Sequence, residues 1–288
     1  MRILILGVSG LIGRMVFSYF KLNANYELIG VSKSIFISSS LNSISIKPFD
    51  FYKNINRIID LIDTIEPDVV INCSGITKHN HQYTNEKKVI YLNSLLPKVI
   101  AKHCRSKIAR FIQVSTDCVF SGKKGFYKED DPPDGSDLYS KTKIKGELDA
   151  KYLTLRLSVI GPELTTKNGL FAWFMSIKNN NCIGFKKAYF SGITTLEFAK
   201  ILNEIIIPNK NLKGIYHVST YRISKFNLLI LLSKIFNKKI KIEIDNNYFI
   251  DRSLLSDKFI VETGYKQKKY TTQLKELYLF MKQNSLHS

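Results

Sequence analysis

Cysteine is scarce in this chain. Cys73, Cys104, Cys118 and Cys182 are spread through 288 residues and form no C-x-x-C or Cys/His ligand pattern. A disulfide framework and a structural zinc site are therefore excluded as organising devices, and reduced, mostly buried thiols are expected. Long apolar runs are also missing: no stretch reaches the ~18 consecutive apolar residues that a membrane span needs. Met1-Arg2 leads straight into a strand-like run with no cleavage region, so a cytoplasmic protein without a membrane partner is expected. Acidic side chains are few, 24 against 43 Lys and Arg, for a net charge of +19. A basic face is how proteins meet nucleic acid. Here, however, the lysines are scattered with Ile and Asn along the whole chain, and no Arg-rich arm, zinc finger or aromatic RNA-binding motif occurs. The charge points instead to anionic small ligands such as dinucleotides and nucleotide sugars. Internal repeats and low-complexity tails are absent too.

What is present begins with residues 2–7, an apolar run with the continuous character of a strand buried on both faces. Gly7, Gly10 and Gly13 follow at spacings of three, ahead of a helix from about Leu11 to Leu22. Glycines so placed allow a tight turn, close backbone approach to a pyrophosphate and close packing of helix on strand. Gly7, Ser9, Gly10, Leu11, Ile12 and Gly13 are the expected phosphate-side contacts of a dinucleotide. A second strand, 27–31, ends in Ser32-Lys33 where NAD-preferring sites usually carry an acid. A hydroxyl and an ammonium suit a 2′-phosphate, so NADPH is the favoured cofactor, with NADH as the alternative. A short strand at 44–47 leads to Asp50 and Phe51, expected near the adenine. A helix over 52–65 precedes a strand at 67–73 that ends in Ser74-Gly75-Ile76, a second cofactor contact. His79 and His81 read as solvent-exposed loop residues. Asn93, a lone amide in an apolar helix, reads as a support for the same site.

The chemistry centres on 110–147. An apolar strand, 111–114, opens into Ser115-Thr116-Asp117, and Tyr139 and Lys143 follow four residues apart, on one helix face. A phenol titrates near pH 10. A neighbouring ammonium and the hydroxyls of a bound dinucleotide would bring it into range as a general acid. Thr116 would polarise the same substrate oxygen. The spacing alone is weak, because with 15 Tyr and 43 Lys plus Arg chance supplies about two such pairs. Tyr83/Lys87, Tyr221/Lys225, Tyr265/Lys269 and Tyr278/Lys282 share it and read as ordinary helix or loop surface. Only Tyr139 follows a strand ending in small hydroxyl residues. Further on, 163–187 reads as a lobe over the strand ends, with Lys167, Asn168 and Trp173 as sugar and diphosphate contacts, Trp173 serving equally well as lobe core. Helices are expected over 194–206 and over 224–236, the latter capped by Ser224, with a strand at 214–218. Arg252 suits a diphosphate because a guanidinium matches phosphate oxygens in a fork.

With Gly7-x-x-Gly10-x-x-Gly13, Val114-Ser-Thr-Asp-Cys-Val-Phe-Ser-Gly122, Tyr139-Ser-Lys-Thr-Lys143, Leu155-Arg-Leu-Ser158 and Gly214-Ile-Tyr-His217 in hand, the chain resembles the extended short-chain dehydrogenase/reductases over essentially its whole length. Within them it resembles the dTDP-4-dehydrorhamnose reductase branch. The resemblance implies an α/β Rossmann-type doubly wound parallel sheet with a smaller C-terminal α/β substrate-binding lobe. Residues 1–160 would hold NAD(P) and 161–288 the substrate, with about 188–218 returning to the first unit. It also implies a Thr116/Tyr139/Lys143 triad beside Asp117, and hydride transfer to the 4-keto group of a nucleotide-linked 6-deoxysugar destined for surface polysaccharide. A homodimer through sheet-flanking helices would suit the family. Cys118 and Val159 replace a Tyr and a Trp common in that branch and should touch the sugar. Met15 replaces a glutamate that binds magnesium in some members, so no metal is expected. Two other functions fit the same motifs: a nucleotide-sugar epimerase, and a catalytically silent subunit that binds a partner enzyme.

Overall fold

The computed structural model describes residues 1–24, 26–33, 47, 48, 50, 52, 55–78, 81–163 and 169–284. The chain opens with β1 (Arg2–Leu6), α1 (Leu11–Asn23), β2 (Glu27–Ser32), β3 (Lys47–Pro48), α2 (Ile55–Ile65) and β4 (Val69–Asn72). It continues through α3 (Glu86–Ile90), α4 (Leu96–Ser106), β5 (Arg110–Val114), α5 (Leu138–Lys145), β6 (Leu153–Arg156) and β7 (Val159–Ile160). Next come α6 (Leu170–Ser176), β8 (Asn181–Phe190), β9 (Ile193–Thr194), α7 (Thr195–Ile201), β10 (Gly214–His217) and β11 (Ile223–Ser224). The last elements are α8 (Lys225–Ile235), β12 (Lys241–Asp251), α9 (Asp257–Thr263) and α10 (Tyr270–Gln283).

Seven strands form one sheet in the order β10-β6-β5-β4-β1-β2-β3, every pairing parallel. The order reverses beside β1, which creates a crevice at the carboxyl ends of β1 and β4 where ligands of such sheets bind. Alternation along β1 explains the layers. Ile3 and Ile5 face a core shared with Val16, Phe17 and Phe20 of α1 and Leu196 and Phe198 of α7. Leu4 and Leu6 face a second core with Ile58 and Ile62 of α2 and Ile100 and Cys104 of α4. Each such fully buried side chain contributes about 1.5–3 kcal/mol of transfer free energy, so apolar strands flanked by amphipathic helices settle here as a three-layer sandwich.

The C-terminal part adds a three-stranded sheet, β11-β8-β12, and the last residue of β12, Asp251, donates its amide to the Gly122 carbonyl in the segment that follows β5. β10 nevertheless belongs to the main sheet, beside β6. The helix expected over 194–206 runs as α7 through Ile201 and then as a π-helical turn, Leu202–Ile206. The expected cap holds, with Ser224 accepting the Asn227 amide. Phe51, His79, Lys167 and Asn168, and most of the strand expected at 44–47, lie outside the described residues.

Candidate active site

The glycine turn is sterically committed. Gly7 has φ +86°, and a Cβ there would stand 2.9 Å from the Ser74 backbone; one on Gly13 would stand 2.4 Å from the Gly7 carbonyl oxygen. The two turns singled out in the sequence therefore touch backbone to backbone. α1 starts behind Gly10, which offers no side-chain cap, so first-turn N–H groups remain for an anion. Ser74 donates from N and Oγ to Asn72 Oδ1, at 3.1 and 2.5 Å. Gly75 packs against Asn93. Asn93 Oδ1 accepts the Ile76 amide at 2.9 Å, while Nδ2 donates to the Ile76 carbonyl at 3.0 Å and Thr142 Oγ1 at 3.2 Å. It thus fastens the second cofactor turn to α5, from within a π-helical turn at Tyr91–Leu95, a geometry frequent at functional sites. Ser32 is buried at the end of β2 and Lys33 is exposed. Asp50 accepts the Tyr52 amide. The cradle fits a dinucleotide's pyrophosphate.

Asp137 caps α5 by accepting the Ser140 amide at 2.8 Å, and Lys78 pairs with the same carboxylate. The Tyr139 amide donates to the Tyr83 hydroxyl at 3.2 Å. Tyr83, expected on the surface, is thus a second brace of this helix. Lys143 is buried and donates Nζ to the Val114 carbonyl at 2.8 Å. Burial lowers its ammonium to about 8, with Glu147 and then Cys73 opposing that shift. Thr116 Oγ1 accepts the Cys118 amide at 3.1 Å and lies 3.2 Å from Asp117 Oδ1. Burial raises the Tyr139 phenol, Cys118 adds to the rise, and a hydrogen bond with the Thr116 side chain opposes it. The expected lowering of the phenol by Lys143 is not seen: the group that lowers it is Thr116, and burial leaves Tyr139 protonated at neutral pH.

On the substrate side, Asp117 is buried and its carboxyl is raised by burial against the pull of Arg252 and Lys225. Arg252 donates Nε to the Phe120 carbonyl at 2.9 Å, and its Nη1 lies 3.9 Å from Cys118 Sγ. Lys225 is a correction. Read as surface, it sits at the first position of α8 with Nζ 3.6 Å from the Phe190 ring centroid. Burial lowers it to about 8, opposed by Asp117 and Cys118. Tyr270, buried, places its hydroxyl in the field of Asp117 without a hydrogen-bond partner among the described residues. No local sequence signal separates Lys225 from its neighbours, since the fold of β8 and α8 brings it in. Tyr265 is a second correction: it is 6% exposed and donates its hydroxyl to Glu197 at 3.1 Å. Trp173 is 38% exposed on α6 and so is not lobe core. Val159 pairs with Ile193 beside the strand ends.

A dinucleotide cradle at the switch point of a parallel sheet, with a Tyr-x-x-x-Lys helix beside a Ser-Thr strand end, defines an extended short-chain dehydrogenase/reductase. Within that class, the chain belongs to the family described as the RmlD substrate binding domain, which matches residues 1–236. It is 34% identical over 110 residues to a probable low-salt glycan biosynthesis reductase Agl14 of Haloferax volcanii, covering 36% of this chain and 37% of that protein. The chain thus spans little more than a third of that relative's length. It is 26% identical over 253 residues to methionine adenosyltransferase 2 subunit beta of Xenopus tropicalis, covering 82% and 72%. It is 27% identical over 227 residues to dTDP-4-dehydrorhamnose reductase of Aggregatibacter actinomycetemcomitans, covering 75% and 72%. The fold is shared with dTDP-4-dehydrorhamnose reductase from Bacillus anthracis, solved with NADP, at TM-score 0.77 and 19% identity over 97% of this chain and 99% of that one.

Proposed function

We propose that the protein is an NADPH-dependent reductase of a nucleotide-linked 4-keto-6-deoxyhexose, acting in deoxysugar biosynthesis for surface glycan. The observation that carries this is the convergence of Thr116, Tyr139 and Lys143 beside the glycine cradle, and the similarity to a dTDP-4-dehydrorhamnose reductase supports it. Residues 1–160 hold the cofactor and 161–288 the sugar nucleotide, with 188–218 returning to the first unit. No described helix is long and apolar enough to cross a membrane, in keeping with a cytoplasmic enzyme. The working unit is a homodimer.

The bound nicotinamide supplies the hydride. With the dinucleotide bound, glycines 7, 10 and 13 and the first turn of α1 would hold the pyrophosphate, Lys33 would meet the 2′-phosphate, and Lys143, keeping one proton on the Val114 carbonyl, would offer another to the nicotinamide ribose. Thr116 and Tyr139 hydrogen-bond the substrate's carbonyl oxygen, and Tyr139 gives up its phenolic proton as that oxygen gains negative charge. Ketone, hydride and proton make the alcohol, and solvent reprotonates Tyr139. Arg252 and Lys225 form the cationic wall for the diphosphate. Loss of NADPH absorbance is the test, with dTDP- and UDP-linked 4-keto-6-deoxyhexoses supplied separately. Consumption with either supports the reductase, and none with both counts against it.

A second reading, a regulatory subunit, is favoured by the similarity to the beta subunit of methionine adenosyltransferase. The intact Thr116/Tyr139/Lys143 set favours the reductase.

A further inference from the structure

Beyond the end of α5, a buried charged pair touches the catalytic helix and the strand behind it. Glu147 is four residues from Lys143, and its side chain is 8% exposed against 2% for Arg156. Glu147 Oε1 accepts from Ser115 Oγ at 2.8 Å and from Arg156 Nε at 2.8 Å, and Oε2 accepts from Arg156 Nη2 at 2.7 Å. Ser115 N donates to the Leu155 carbonyl at 2.7 Å. The Val114 carbonyl, in the same peptide unit as Ser115 N, receives Lys143 Nζ at 2.8 Å. Two side chains four residues apart, one in the last turn of α5 and one just past its end, therefore grip the residues on either side of one peptide bond, directly ahead of Thr116.

The pair is braced from behind. Arg156 Nη1 lies 3.3 Å from His217 Nε2. A guanidinium can only donate, so Nε2 accepts and His217 carries its proton on Nδ1. That nitrogen lies 3.1 Å from both the Tyr127 and Leu255 carbonyls, as a donor requires. A buried ion pair is a costly brace, often matched in stability by apolar residues of the same volume, so stability alone does not account for it.

We propose that Glu147 is a positioning residue for the catalytic set, fixing Ser115-Thr116 against Lys143 and holding a negative charge beside that ammonium. Its effect on Lys143 follows from the surroundings. Burial pulls Lys143 down to about 8, and the groups facing it are Glu147 and Cys73, of which Glu147 opposes the shift more. Without the carboxylate, Lys143 loses its proton nearer neutrality. This proposal rests on the reductase reading only for the role of Lys143 in turnover.

The test is carbon-13 NMR titration of the full chain labelled at lysine Cε, with Lys143→Met assigning the signal, alongside pH profiles of kcat and KM. Glu147→Gln alone strands a buried guanidinium, so the informative variant is Glu147→Gln with Arg156→Met. That variant is expected to melt within a few degrees of the wild type. Its Lys143 midpoint should fall by about one pH unit, and kcat should fall about tenfold with KM for the keto-sugar within twofold. An unchanged midpoint with unchanged kcat overturns the proposal and leaves the pair as a structural brace. If the double variant does not fold, Glu147→Asp replaces it: the carboxylate is kept but withdrawn by one methylene, so kcat should drop and the midpoint move, and wild-type values for both would again overturn the proposal. If the wild type consumes no NADPH with any keto-sugar, the reductase reading falls while the Lys143 titration still decides the part assigned to Glu147.

Discussion

Tyr139, Lys143 and Lys225 carry the sharpest consequences at the scale of single residues. Tyr139→Phe removes the proton donor but little volume, so turnover should fall by a factor of about 100 or more while NADPH binding, followed by fluorescence, stays within a few fold. On the proposed reading Lys143 must be charged to hold the nicotinamide ribose, and burial sets it to about 8. The sign follows directly: kcat/KM should decline as pH rises through about 8, because the ammonium is lost there and Tyr139, raised by burial, remains protonated. A flat profile between pH 7 and 9 would contradict that assignment. Lys225→Met removes one of two cations from the wall beside Asp117. The loss of a charged hydrogen bond, about 1.5–3 kcal/mol, should raise KM for the sugar nucleotide about tenfold or more and leave NADPH affinity unchanged. An unaltered KM would return Lys225 to a structural role.

The elements divide by how local their causes are. Gly7, Gly10 and Gly13 could be read from sequence because a turn that touches another backbone tolerates no Cβ. Tyr139 and Lys143 could be read because four residues make one helical turn. Lys225, Tyr83 and the Glu147–Arg156–His217 chain could not, since their partners come from elements 9 to 108 residues away. The spacing that singled out Tyr139 also caught Tyr83 and Tyr265, whose hydroxyls brace helices. The junction of β6, β10 and the 251–255 segment yields its own prediction. Burial holds His217 near a pKa of about 3, far below its ordinary 6.5. The unfolded chain therefore binds the proton first, and stability is lost as pH falls below about 6.5, with a slope of up to about 1.4 kcal/mol per pH unit from this residue. Chemical denaturation between pH 4 and 7 should show that slope, and His217→Gln should flatten it. An equal slope in both proteins would assign the acid sensitivity to other groups.

As a whole molecule, the chain sets two layers of helices around a parallel sheet and adds a small second sheet, and on the proposed reading cofactor and sugar would meet at the strand ends. The positive charge noted in the sequence, +19 overall, suits two anionic ligands converging on one crevice. Substrate association should accordingly slow as salt is raised, since screening shortens the reach of that field. The central claim is that hydride passes from the cofactor to the sugar's C4 while Tyr139 protonates the oxygen. The most direct measurement uses NADPH deuterated at the transferable position with a dTDP-linked 4-keto-6-deoxyhexose, and reads the product by NMR. Deuterium at the sugar's C4, abolished in Tyr139→Phe, is the predicted result. NADPH bound by the wild type but returned with its deuterium intact, whichever keto-sugar is supplied, would contradict the account and direct the search to a partner enzyme.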